Sequence, residues 1–149
     1  MASVTLQPAC EPSWAPERSR DKPRRARSTR ILLVEDEPLT AEVFAMALSR
    51  DGHLVEVARD GLQALRRLHD WRPTLVVLDM SLPALPGADL VRRVREGGQR
   101  NLPIVVVSGS PRAAADLTNA ELWPGTWLEK PVKPRDLVDI VRDFTRDAG

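Results

Sequence analysis

The stretch that decides the fold is LVVLD, residues 75–79, in which four consecutive apolar residues end in a carboxylate. Residues 31–34 (ILLV) and 104–107 (IVVV) have the same short, continuous apolar form. Runs of this kind are typical of central parallel strands, which are covered on both faces. We therefore predict three buried strands. Two shorter candidates complete a set of five: His53–Val57 and Thr126–Glu129.

Between the predicted strands, apolar residues recur at the spacing of amphipathic helices. The predicted stripes are Leu39, Val43, Met46 and Ala47; Leu62, Leu65 and Leu68; Leu90, Val91 and Val94; and Leu137, Ile140, Val141 and Phe144. A weaker, alanine-rich helix is predicted over residues 112–122. Regular alternation of strands and helices predicts an α/β fold, a doubly wound five-stranded parallel sheet with five helices. The ligand crevice of such a sheet lies at the carboxyl ends of its strands.

The chain divides into a basic tail and a mildly acidic body. Residues 1–30 contain seven Lys or Arg and three acids, whereas the whole chain has a net charge of +1. Residues 1–29 show no sustained period, and we interpret them as a disordered Pro/Arg-rich tail. This tail is either a solvated leader or a polybasic contact for a partner, a membrane surface or nucleic acid. We assign residues 30–146 to one folded domain and residues 147–149 to a C-terminal end.

The composition excludes several classes of protein. Hydrophobic residues make up 42% of the chain and charged residues 29%, as in ordinary soluble domains. No apolar run approaches the roughly 18–20 residues of a membrane span, and the N-terminus lacks the apolar block of a signal peptide. Cys10 is the single cysteine and there are two histidines, so a disulfide framework and a structural zinc site are disfavoured. We expect a cytoplasmic protein.

Polar side chains follow four of the predicted strands directly: Glu35, Asp36 and Glu37; Asp79; Ser108; and Lys130. Crowded carboxylates repel one another, and a hard divalent cation such as Mg²⁺, which prefers oxygen ligands, removes that cost. Asp36 and Asp79 suit such an ion, whereas Glu37 suits the first turn of a helix. The sequence therefore predicts a magnesium site at the carboxyl edge of the sheet.

The same edge offers the groups that phosphoryl transfer needs. An aspartate is an accepted nucleophile that forms an aspartyl phosphate. A metal ion and the ammonium of Lys130 would take the anionic charge of the phosphoryl group, and the hydroxyl of Ser108 would donate to one of its oxygens. Together the edge offers a carboxylate nucleophile, a metal position, a cation and a hydroxyl donor.

These residues stand in four motifs that resemble those of the receiver domain of bacterial response regulators, which act in two-component signalling. The motifs are ILLVEDEP (31–38), VVLDMSLPALPG (76–87), VVVSGS (105–110) and WLEKP (127–131). The resemblance extends over residues 30–146. The resemblance implies a flavodoxin-like receiver fold.

Carried over residue by residue, the resemblance implies a role for each motif position. Asp79 is the phosphoacceptor, Ser108 is the switch hydroxyl, and Lys130 contacts the phosphoryl group. Trp127 stands where the switch aromatic is usually Phe or Tyr. The implied Mg²⁺ ligands are Glu35, Asp36, Asp79 and the backbone carbonyl of Ser81. The Lys130–Pro131 peptide bond is expected to be cis.

The resemblance also implies partners. A histidine kinase or phosphotransfer protein would donate the phosphoryl group, and a downstream protein would bind the face formed by helix four, strand five and helix five. We expect a stand-alone receiver without a DNA-binding domain, and homodimerisation stays open. Apart from its own phosphorylation and dephosphorylation, we expect no enzymatic activity.

Two alternatives stay open from the sequence alone. One is a binding module that keeps the receiver fold but ignores phosphate. The other is an aspartate-nucleophile phosphohydrolase. The second alternative is disfavoured because Ser81 stands where such enzymes carry a second aspartate, and because no insertion encloses a substrate.

Overall fold

A computed structural model describes residues 29–111 and 116–146 of the chain. The predicted tail, apart from Thr29, and the end 147–149 lie outside the described residues. The strands are β1 (Arg30–Val34), β2 (Leu54–Ala58), β3 (Leu75–Asp79), β4 (Ile104–Ser108) and β5 (Gly125–Glu129). The helices are α1 (Pro38–Arg50), α2 (Gly61–Asp70), α3 (Gly87–Glu96), α4 (Asn119–Leu122) and α5 (Pro134–Arg146).

The five strands form one parallel sheet in the order β2-β1-β3-β4-β5. The three continuous apolar runs are its three interior strands, and β3 and β4 are buried at every position. The two weaker candidates are the edge strands, which keep one unpaired side. The predicted doubly wound α/β fold is confirmed.

Alternation along the interior strands divides the core into two layers, because successive side chains of a strand point to opposite faces. On one face Ile31, Leu33 and Val77 pack with α1 and α5. On the other face Leu32, Val34 and Leu78 pack with α2, α3 and α4. Helices therefore cover both faces, as continuous apolar strands require.

The predicted apolar stripe of α1 is wrong. The helix buries Ala41, Phe44 and Leu48, whereas Leu39 is 70% exposed, Val43 48% and Met46 46%. Both stripes have helical spacing, so periodicity alone does not choose between them. The stripe with the aromatic ring faces the core, and the other is left in solvent.

The predicted helix over 112–122 is also corrected. Residues 112–115 lie outside the described residues, and within the rest α4 begins at Asn119. Thr118 caps it, since its hydroxyl accepts from the amide of Glu121 while the Glu121 carboxylate accepts from the amide of Thr118. Pro124 ends it, because a residue before proline avoids helical backbone. The outcome is a helix of a single turn.

No helix within residues 29–111 and 116–146 combines the length and apolar character needed to cross a membrane.

Candidate functional site

The carboxyl edge of the sheet brings three acidic side chains together. One carboxylate oxygen from each of Glu35, Asp36 and Asp79 lies within 4.8 Å of the others. Glu35 is 3% exposed and Asp79 is 4% exposed, whereas Asp36 is open to solvent. Carboxylates are almost never fully buried unless they are paired, so this cluster calls for a positive partner.

Strand pairing explains why these residues meet. Val34, the last residue of β1, pairs with Leu78, so Glu35 and Asp79 follow neighbouring positions in adjacent strands. The amide of Glu35 donates to the carbonyl of Ala58 at 3.0 Å and continues the pairing with β2 beyond the end of β1.

Glu37 takes a different role from its two acidic neighbours. Its carboxylate accepts from the amide of Thr40 at 2.9 Å and caps α1, whose first residue is Pro38. This agrees with the prediction of a helix-start acid for Glu37.

Electrostatics in the cluster disfavour full ionisation. Burial, and next a hydrogen bond with Asp79, raise the pKa of Glu35 from 4.5 to about 7, although the amide of Glu37 donates to it and opposes the shift. Among the described residues, Lys130 supplies a positive charge to the cluster, with its Nζ 3.4 Å from Oδ2 of Asp79. One ammonium facing three carboxylates leaves the cluster short of positive charge.

Ser108 and Lys130 reach the same edge from β4 and β5. Asp79 pairs with Val107, so Ser108 lies one residue beyond it on the adjacent strand. The amide of Lys130 donates to the carbonyl of Ser108 at 2.7 Å. The hydroxyl of Ser108 is buried and accepts from the amide of Ser110 at 3.0 Å. The Lys130–Pro131 peptide bond is cis, and so is Trp123–Pro124.

The loop after β3 folds back onto the cluster. The amide of Ser81 donates to Oδ1 of Asp79 at 3.0 Å. A Cβ on Gly87 would lie 2.9 Å from the Cα of Met80, so glycine permits α3 to begin against this loop. The use of the Ser81 carbonyl as a metal ligand stays a prediction.

Leu85 is a site-supporting residue that sequence reasoning missed. Leu85 is buried within the same loop. A Cβ added to Gly61 would lie 2.5 Å from the Cβ of Leu85. Leu85 therefore docks the loop against the start of α2. An isolated leucine between two prolines, Pro83 and Pro86, is the sequence signal that points to such an anchor.

Trp127 does not belong to the acidic cluster. Its indole nitrogen donates to the carbonyl of Ser110 at 3.2 Å, and the ring packs partly buried on the core layer of α2, α3 and α4. It therefore connects β5 to the loop that follows Ser108.

The donor set fits a hard divalent cation. All three side chains offer oxygen, two of them are removed from water, and the described structure supplies one ammonium in compensation. Mg²⁺ binds through one or two carboxylates together with water and phosphate oxygens, which matches a cluster in which Asp36 is exposed to solvent. Soft or imidazole-preferring metals find no thiolate or histidine in the cluster.

Comparison with known proteins points to one family. Residues 31–142 match the family described as "Response regulator receiver domain". The chain is 35% identical over 113 residues to the DNA-binding response regulator MtrA of Mycolicibacterium smegmatis, covering 76% of this chain and 49% of that protein. It is 32% identical over 119 residues to the response regulator MprA of Mycobacterium ulcerans, covering 80% and 51%.

A solved structure supports the same conclusion. The signal receiver domain of a response regulator from Bermanella marisrubri superposes with a TM-score of 0.71 at 33% identity, covering 80% of this chain and 99% of that one. The chain spans about half the length of the curated relatives it matches. It belongs to the family of response regulator receiver domains.

Proposed function

We propose that this receiver domain accepts a phosphoryl group on Asp79 and passes the signal on through protein contacts. The observation that carries the proposal is the buried carboxylate of Asp79, held within 4.8 Å of two further carboxylates and 3.4 Å from the ammonium of Lys130. A buried nucleophile between a metal-binding acid cluster and a cation suits transfer of an anionic group.

The transfer forms one bond and breaks one bond. A carboxylate oxygen of Asp79 attacks phosphorus, and the bond from phosphorus to the donor atom breaks as the donor leaves with its electron pair. A phosphohistidine releases imidazole, and a small acyl phosphate releases its carboxylate. Glu35, Asp36 and Asp79 would hold Mg²⁺, which when bound supplies charge neutralisation for the phosphoryl oxygens.

Lys130 and Ser108 receive the new charge. The ammonium of Lys130 follows the anion, since it already lies at ion-pair distance from Asp79. The hydroxyl of Ser108 accepts from Ser110 and has its own proton free to donate to a phosphoryl oxygen. Rotation of Ser108 toward the phosphoryl group would break the contact with Ser110, whose carbonyl also accepts from Trp127.

The exposed stripe of α1 supports a helical phosphodonor. Leu39, Val43 and Met46 form an apolar row that begins three residues after Asp36. An apolar row beside a reactive group fits the apolar face of a partner helix, as histidine kinases and phosphotransfer proteins would present. A downstream partner would then bind the face of α4, β5 and α5, and β5 is connected to the loop of Ser108 through the contact of Trp127 with Ser110.

Intact mass spectrometry tests the proposal. The protein is incubated with acetyl phosphate and Mg²⁺, and we expect the added mass of one phosphoryl group. Asp79→Ala should gain none, and Glu96→Gln, which removes an exposed carboxylate on α3, should behave as wild type. A chelator should prevent the gain. Failure of wild type to gain mass, or a gain in Asp79→Ala, would refute the assignment.

Beryllofluoride separates this proposal from the phosphate-insensitive binding module. Because the indole of Trp127 holds the loop at Ser110, that module predicts an unchanged α4–β5–α5 face in the presence of the anion. We expect instead chemical-shift changes that extend from Ser108 to α4. Shifts confined to the acidic cluster would favour the binding module.

A further inference from the structure

We propose that Arg92 on α3 is a latch that holds α4 in its resting position and opposes the displacement of α4 when Asp79 is phosphorylated. The inference rests on the proposed function and adds a second control point, on a helix that contributes no residue to the acidic cluster. We call the guanidinium of Arg92 together with the carboxylates of Asp89, Asp116 and Glu121 the Arg92 clasp.

The Arg92 clasp joins α3 to α4 itself and to the residue two positions before the cap of α4. Nε of Arg92 lies 2.9 Å from Oε2 of Glu121, within α4. The other side of the guanidinium pairs with Asp116 at 3.4 Å and also donates to the Asp116 carbonyl, two residues before the cap of α4. Asp89, one turn earlier on α3, lies 3.4 Å away and orients the guanidinium.

A helix of a single turn depends on such external contacts. Nucleation of a helix is unfavourable, and an isolated turn does not persist in water. Within the described segment, α4 has the capping box of Thr118 and Glu121 and two backbone bonds, from the amides of Leu122 and Trp123. Its position is therefore fixed largely by what α3 and the core provide.

Arg95 fixes the carboxyl end of α4 in a different manner. All five of its N–H donors are used, and each meets a backbone carbonyl: Glu121, Gln99, Leu102, Leu122 and Pro124. The pairing of Arg92 is electrostatic and partly exposed, whereas that of Arg95 is partly buried and complete. Arg95 is thus the fixed anchor, and the Arg92 clasp is the contact that can open.

Opening of the Arg92 clasp would lower the free energy needed to move α4. Two states of α4 differ by the contacts each one makes, and a phosphoryl group shifts the equilibrium only by its differential interaction with them. Contacts present in the resting state alone oppose the shift. Loss of the clasp should therefore raise both the opening of α4 and its sensitivity to a phosphoryl mimic.

Hydrogen exchange of the ligand-free protein tests the latch directly. We expect Arg92→Gln to speed exchange of the Leu122 and Trp123 amides about fivefold, as loss of two partly exposed ion pairs allows. Arg93→Gln is the matched control, since Arg93 is exposed and forms no ion pair within the described residues. Equal exchange in both variants would overturn the inference.

A second variant guards against a general loss of structure. Glu121→Gln removes the charge that pairs with Arg92 but keeps a side chain that suits the capping box. It should reproduce the faster exchange of Arg92→Gln. An unchanged rate in Glu121→Gln would show that Arg92 acts through bulk packing, and the latch would be rejected.

Beryllofluoride titration then links the latch to switching. For Arg92→Gln we expect half-maximal change of the α4 amide shifts at about one third of the concentration that wild type needs. If wild type responds and Arg92→Gln matches Arg93→Gln, the latch fails while the proposed function stands. If wild type gives no response, the proposed function fails, and the ligand-free exchange alone decides whether Arg92 holds α4.

Discussion

The acidic cluster and the α3–α4 side of the molecule differ in how completely their charged groups are paired. At the cluster, three carboxylates (Glu35, Asp36 and Asp79) lie together, and the ammonium of Lys130 pairs with Asp79. On the α3–α4 side, Arg92 meets three carboxylates, and Arg95 places every N–H on a carbonyl. The first region is short of partners, and the second is complete.

The pKa shifts of two carboxylates express the same contrast. Burial raises the pKa of Glu35 to about 7. Asp51, at the end of α1, lies in a forked contact with the guanidinium of Arg142 on α5, and this hydrogen bonding lowers its pKa. Charges satisfied within the chain stabilise the fold, whereas unsatisfied buried charges point to an added ligand.

Among the charged contacts, the largest expected effect tests whether the α3–α4 side is structural. Arg95→Met should lower the free energy of unfolding by about 3 kcal/mol, because it leaves several partly buried carbonyls without a donor. Urea denaturation would measure the change. Arg93→Met, two residues earlier on α3 and exposed, should alter stability by less than about 0.5 kcal/mol. Equal losses in the two variants would contradict the assignment of Arg95 as an anchor.

The next prediction concerns the incomplete region. Mg²⁺ at about 100 times its dissociation constant should raise the free energy of unfolding by about 2.7 kcal/mol. Asp79→Asn should raise the stability of the metal-free protein, since it removes one of the crowded charges, and should reduce the gain from Mg²⁺. Thermal melts with a chelator and with excess Mg²⁺ at low salt would check both. Identical melting temperatures would exclude a metal site here.

The interior of the sheet was predictable because its strands are continuous apolar runs, which leave little choice of partner. The acidic cluster was predictable for the same reason, since Asp79 and Ser108 follow such runs directly. Edge strands are less marked: β2 begins at Leu54 instead of His53, and β5 begins one residue before the predicted start.

Two parts of the fold could not be predicted from the spacing of apolar residues in the sequence. The stripe of α1 is ambiguous because Phe44 and Val43 each lie in an apolar row, and only packing decides which row is buried. The Arg92 clasp has no local sequence pattern that predicts it, because Arg92 and Glu121 are 29 residues apart in the chain. Pairings of this separation depend on the assembled sheet, which places α3 beside α4.

The pH dependence of the contact between α1 and α5 gives a smaller effect. Arg142 depresses the pKa of Asp51, so this carboxylate stabilises the fold above its unfolded value of 3.8, and the gain is lost as pH falls through its folded pKa. Burial also lowers the pKa of His53. The fold therefore loses stability as pH falls below 6.5, the unfolded value of this histidine.

Asp51→Asn should therefore lower stability at neutral pH, and the difference from wild type should shrink in acid. Urea denaturation at a series of pH values would measure it. Asp139→Asn is the matched control, because Asp139 lies 4.0 Å from the same guanidinium but is 66% exposed. A difference that stays constant from neutral to acid pH would show that the pairing with Arg142 is not its source.

The smallest expected change in stability separates an exposed apolar row from a buried one. Val43→Ser should change the free energy of unfolding by less than about 0.5 kcal/mol, because Val43 is 48% exposed, whereas Phe44→Ala on the buried row should cost about 3 kcal/mol or more.

If the exposed row binds a phosphodonor helix, Val43→Ser should still slow phosphotransfer from a histidine kinase severalfold. Its reaction with acetyl phosphate, which needs no docking surface, should proceed at the wild-type rate. Equal slowing with both donors would mean that the substitution disturbs the acidic cluster instead of the docking surface.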